Sequence, residues 1–171
     1  MIVNDSGIVI RHIKVRDNSK LIWIFSPKLG RYALGVNGAY SRKISPAIGL
    51  LNCVEISIQD KSGFRTLHSI LGYEEPNILM NLENQFTVLY VTNILCKLLP
   101  EQYVAVEIYK YLLKLIKVLS VRNISKGEAQ KLRESFLKKI CEELSLDINK
   151  IERHKLHEFV EGEFGKNLWK P

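Results

Sequence analysis

Eight basic residues, Arg11, Lys14, Arg16, Lys20, Lys28, Arg31, Arg42 and Lys43, fall between positions 11 and 43 with one acid, Asp17, among them. The excess of seven positive charges in this stretch equals the net charge of +7 carried by the whole 171-residue chain. Cations held this close repel one another, and a fold tolerates the cost when an anionic partner relieves it. The chemistry such residues perform is non-covalent: they hold a phosphate backbone through charge and reach, without reading base sequence. Arg31, Arg42 and Lys43 are the strongest candidates, because they flank the loop expected between the third and fourth strands. Tyr40 in that loop and Tyr32 on the preceding strand are candidates for stacking on bases. An aromatic on a strand more commonly packs in a core, which is the weightier reading for Tyr32 and for Trp23.

No set of residues points to catalysis. His154, His157, Glu158 and Glu161 lie at helical spacing, but they do not form HExxH, and a charged helix face accounts for them. The three cysteines, Cys53, Cys96 and Cys141, are odd in number and set in apolar surroundings, which excludes a disulfide framework and a zinc site built on CxxC pairs. Gly30, Gly35 and Gly38 do not precede a helix, so they form no phosphate loop; bending a small barrel is their expected use. The chain is expected to be no enzyme and to carry no cofactor or metal. Without a long uncharged apolar run or a signal-peptide pattern, it is expected to be soluble and cytoplasmic, with no membrane partner.

The elements that must position these charges follow from periodicity. Between residues 7 and 72 the runs GIVIRHIKV, LIWIF, RYALGV, LLNCVEISI and FRTLHSIL alternate with turn-forming clusters, which predicts five short strands and a small barrel. In the fourth run Leu50, Val54, Ile56 and Ile58 share one face, while Glu55, Ser57 and Gln59 share the solvent face. From about Ile78 the period changes, predicting helices over 78–99 and 102–119, broadly apolar and separated by Pro100. A third, amphipathic helix over 126–145 opens with Ser125 and Glu128 as a capping box. A short last helix is expected over 150–160, with Asn149 and Glu152 as a second box. The fold class is α+β: a barrel over 1–75 and a helical domain over 76–171, docked together because no linker separates them. Lys131, Arg133, Lys138 and Lys139 give the third helix a positive face, interleaved with Glu134, Glu142 and Glu143; pairing such as Glu134 with Lys138 makes a solvated face the simpler reading.

Several segments together resemble one family, the bacterial recombination mediator RecO. They are Gly7-Ile8-Val9-Ile10-Arg11, the run from Leu21 to Ser26 with Lys28-Leu29-Gly30, and Arg31 to Gly38-Ala39 followed by Ser41-Arg42-Lys43. The stretch from Leu156 to Leu168 is similar to the family's closing helix. Two departures stand out: the family's zinc module of two CxxC pairs is missing, which suggests a short form, and Asn37 stands where a basic residue often precedes the Gly-Ala. The resemblance implies an oligonucleotide/oligosaccharide-binding (OB) barrel, binding of single- and double-stranded DNA, annealing of complementary strands, and loading of RecA together with RecR. It further implies contact with the acidic tail of single-strand-binding protein. Two rival readings remain at this level: a protein-interaction adaptor, and a generic single-strand-binding OB protein without annealing activity.

Overall fold

The computed structural model describes residues 1–61, 63–78 and 81–146. Five strands, β1 (Ile2–Arg16), β2 (Ser19–Ser26), β3 (Gly30–Asn37), β4 (Cys53–Lys61) and β5 (Phe64–Glu74), precede three helices, α1 (Leu82–Leu98), α2 (Val106–Val121) and α3 (Lys126–Glu143). The strands close into a barrel in the order β1-β2-β3-β5-β4, with β3 and β5 parallel and all other neighbours antiparallel. Closure in this order is the OB-type arrangement, and it removes the exposed sheet edges that an open sheet of five strands would leave. The fold is α+β, a closed barrel followed by helices.

The barrel wall is lined on both sides. Ile22, Ile24, Tyr32, Leu34, Val36, Val54, Ile56 and Ile58 fill the interior together with Val9. Ile8, Ile10 and Phe25, of opposite parity, point outward into a second core built with Leu95, Ile108, Leu112, Leu119, Phe136 and Ile140 of the helices. That two-sided burial explains why Ile8, Val9 and Ile10 are all buried in succession, a pattern a half-exposed strand does not show. Arg31 adds a polar tie: its Nε donates to the Leu99 carbonyl at 2.7 Å, while the Gln102 N–H donates to the Arg31 carbonyl at 2.7 Å. Gly30 sits beneath this tie with φ of 70°, where a Cβ would run into the Tyr103 backbone.

Element boundaries differ from expectation for physical reasons. β1 begins at Ile2, five residues early, because Asp5 is a buried polar member of the strand. It accepts from Ser26 Oγ at 2.9 Å and from Tyr32 Oη at 2.8 Å. β4 begins at Cys53 and not at Leu50, since Leu51 adopts φ of 65° and turns the chain; Leu50 packs against the helical core instead. On β4 Glu55 is exposed as expected, but Ser57 is buried between β1 and β5. α1 starts at Leu82, capped by Asn81, whose side chain accepts from the Asn84 N–H at 2.7 Å. α2 starts at Val106 and α3 ends at Glu143. The Ser125–Glu128 capping box forms reciprocally. The expected last helix, its second box, and His154, His157, Glu158 and Glu161 lie outside the described residues.

Candidate nucleic-acid interface

The β1–β2 hairpin carries the charges away from the core. Its strands pair Arg11 with Trp23, Lys14 with Lys20 and Arg16 with Ser19, and residues 12 to 18 are all exposed. The loop after β3 folds onto this tip, with the Ala39 N–H donating to the Asn18 carbonyl at 3.2 Å. Tyr40 thereby comes under Lys20, whose Nζ stands 4.8 Å from the ring centroid, and remains 47% exposed. Arg42 and Lys43 follow in exposed turns of the same loop. Lys14, Arg16, Lys20, Tyr40, Arg42 and Lys43 thus share one end of the barrel. The only carboxylate of the segment, Asp17, pairs with Lys14 at 3.5 Å in an exposed contact that solvent weakens. His12, exposed as a residue but with its imidazole partly desolvated by its neighbours, adds no firm charge there, because that desolvation and then Lys20 push its pKa below the ordinary imidazole value.

Other candidates lie elsewhere. Lys28 and Arg31 sit at the turn joining β2 to β3, six or more strand residues from Lys20, which is roughly 20 Å along the strand. Arg31 therefore does not flank the loop with Arg42 and Lys43; it starts β3 at the opposite end, against the α1–α2 connection. Arg11 lies between the two ends, its guanidinium 5.3 Å from the Trp23 ring. Trp23 is half-buried against the helical core. Tyr32 is 3% exposed and hydrogen-bonded to Asp5, with Arg65 5.0 Å from its ring centroid. Burial first, and Asp5 next, raise its phenol pKa far above the usual value. It is a core residue and offers no face to a base.

One surface aromatic was not anticipated. Phe64, 62% exposed at the start of β5, lays its ring over Gly35 on the outer face of β3. A Cβ at Gly35 would stand 3.3 Å from the ring, a tight contact that the exposed Phe64 would have to ease by a small shift. Turn residue Gly63 followed directly by an aromatic was the available signal; the alternation of the strand concealed it. A cleft of about 310 Å³ between β4, β5 and α2 is lined by the carboxylates Glu55 and Glu74 with Ser6, Cys53, Tyr73 and Tyr109.

The barrel's extent agrees with what a family comparison finds. Residues 1–73 match the family model described as recombination protein O N terminal. The barrel is similar to the N-terminal domain of recombination protein O. This supports a role in recombination and DNA repair for the chain. No curated protein matches it. Cys53 and Cys141 are free thiols; Cys141 is buried in the helical layer, and burial pushes its thiol pKa up. Among the described residues no group of three His, Cys, Asp or Glu side chains is placed to hold a metal ion, and no helix is long and apolar enough to cross a membrane.

Proposed function

We propose that the chain is a non-enzymatic DNA-binding recombination mediator. The barrel tip holds the phosphates of single- and double-stranded DNA, neutralises the repulsion between complementary strands and lets them anneal. On the family reading it acts with RecR in the loading of RecA and meets the tail of single-strand-binding protein. The observation that carries the DNA-binding reading is the convergence of Lys14, Arg16, Lys20, Arg42 and Lys43 around Tyr40 at one end of an OB-type barrel. Phosphate contact needs reach and solvent access, which the exposed Lys14, Arg16, Arg42 and Lys43 and the half-buried Lys20 have; base contact needs a ring, which Tyr40 and Phe64 supply.

A salt titration of single-strand binding tests this. Five phosphate contacts give a slope of about −3.5 in log K against log salt, so affinity drops roughly 100-fold between about 50 and 200 mM salt. A slope near zero leaves the adaptor reading standing. Annealing of complementary oligonucleotides, accelerated by the protein, then separates a mediator from a generic single-strand binder.

A further inference from the structure

The helical layer carries a second basic surface. α2 buries Ile108, Leu112, Leu115, Ile116 and Leu119 and turns Lys110, Lys114 and Lys117 to solvent over about 10 Å of helix. α3 runs beside it, fixed by the 2.8 Å hydrogen bond between Tyr111 and Ser135 and, further along, by the 2.9 Å ion pair of Arg122 with Glu128. These contacts make the two helices antiparallel. They bring Lys139 over Tyr111, 5.5 Å from its ring centroid, and leave Lys131 exposed one turn before Ser135. Five lysines thus border one seam.

Its acids are few. Glu107 forms a 2.7 Å ion pair with Lys110, and its carboxyl pKa is held low by Lys110 first, then by Lys114 and Lys139, so three lysines converge on one carboxylate. Among the described residues, Lys114, Lys117, Lys131 and Lys139 have no carboxylate at ion-pair distance. The charges expected to neutralise this face are directed elsewhere. Glu142 pairs with Lys138 at 3.9 Å, Glu134 accepts from Gln130 at 3.1 Å, and Glu128 is taken by Arg122. Arg133 does not belong to the solvent face: it is half-buried near Glu83, 6.0 Å from the Tyr90 ring centroid on α1.

We infer that the α2–α3 seam, through Lys110, Lys114, Lys117, Lys131 and Lys139, binds the phosphate backbone of a second nucleic-acid strand while the barrel tip holds the first. The inference rests on the proposed DNA binding at the barrel and extends it. The two surfaces lie on different layers, with the core of Ile8, Phe25, Ile108 and Leu112 between them, so each takes its own strand. Two strands on one molecule raise the effective concentration of each for the other, which is what pairing requires. The surface makes no base-specific contact and accepts any sequence.

The test uses the full chain, an oligothymidylate of about eight nucleotides, within the site size of one OB fold, and two charge-neutralised variants. K14Q/R16Q/K20Q removes the barrel-tip charges, and K110Q/K114Q/K139Q removes those of the seam. Of the six altered positions all but the half-buried Lys20 are exposed, and circular dichroism verifies that both variants fold. Wild type is expected to bind two oligonucleotides per chain and to give energy transfer between donor- and acceptor-labelled oligonucleotides. The seam variant is expected to bind one and to lose the transfer. A wild type that binds one per chain, or a seam variant that still binds two, overturns the inference and assigns the lysines to solvent or to an acidic protein partner. Unchanged binding in the barrel-tip variant instead defeats the underlying reading of the barrel, so the two failures are separable.

Discussion

Replacing Phe25 by alanine tests whether barrel and helices form one cooperative body. Phe25 is fully buried, belongs to β2, yet packs into the helical core and meets Tyr109 edge-on with ring centroids 5.6 Å apart. Truncating such a ring costs about 3–5 kcal/mol, transfer and cavity together. For a chain of this size that lowers the melting temperature by roughly 6–20 °C. The loss is expected in the strand and helix signals of circular dichroism alike, at one midpoint, although the substitution is on a strand. A variant in which the helical signal melts at the wild-type temperature while the strand signal melts early would refute the shared core. The same reasoning applies to a fragment of residues 1–75. It uncovers Ile8, Ile10, Phe25 and Leu51, about 6–12 kcal/mol of burial at 1.5–3 kcal/mol each, comparable to the whole stability of a domain. The fragment is expected to be molten, and a well-dispersed NMR spectrum from it would sink the argument.

Three further outcomes are expected. Asp5→Ala strands the buried hydroxyls of Ser26 and Tyr32, which donate to its carboxylate, and should cost about 2–5 kcal/mol in denaturant unfolding; a change below about 0.5 kcal/mol would show that the network contributes nothing. Burial raises the phenols of Tyr90 and Tyr109 to about 12 and Tyr32 beyond that. The unfolded state ionises near pH 10, so stability is full below about pH 10 and falls as pH rises through about 12; a flat alkaline limb in the unfolding free energy contradicts this. Treatment with a strong chelator should leave the melting temperature unchanged and elemental analysis should find no stoichiometric zinc, since the sequence has no CxxC pair; one tightly held metal per chain would show the cysteines misread.

Strand periodicity made the barrel legible, because Ile22, Ile24, Leu34, Val36, Val54, Ile56 and Ile58 alternate as an inner face requires. It did not reveal the first five residues of β1, where Asn4, Asp5 and Ser6 look like turn residues. Asp5 owes its place to Ser26 and Tyr32, partners more than twenty positions away. The positive segment was legible as composition, whereas its division in space was not. Lys20 and Arg31 are eleven positions apart in sequence, but a hairpin strand places them at opposite ends of the barrel. Tyr32 and Tyr40 are equally alike in sequence, and only the barrel's inward parity and the folded loop separate a buried phenol from an exposed ring. The third helix shows the same limit: spacing predicted a pairing of Glu134 with Lys138, while the contacts made are Glu134 with Gln130 and Lys138 with Glu142.

The most direct measurement of the central claim is the salt dependence of single-strand binding for wild type beside K14Q/R16Q/K20Q. All three side chains stand at the hairpin tip, away from both cores, so the variant should keep its melting temperature. Loss of three phosphate contacts should make the slope of log K against log salt shallower by about 2 and weaken binding at low salt. A folded variant with wild-type affinity and an unchanged slope would contradict the assignment of the barrel tip as the DNA-binding surface.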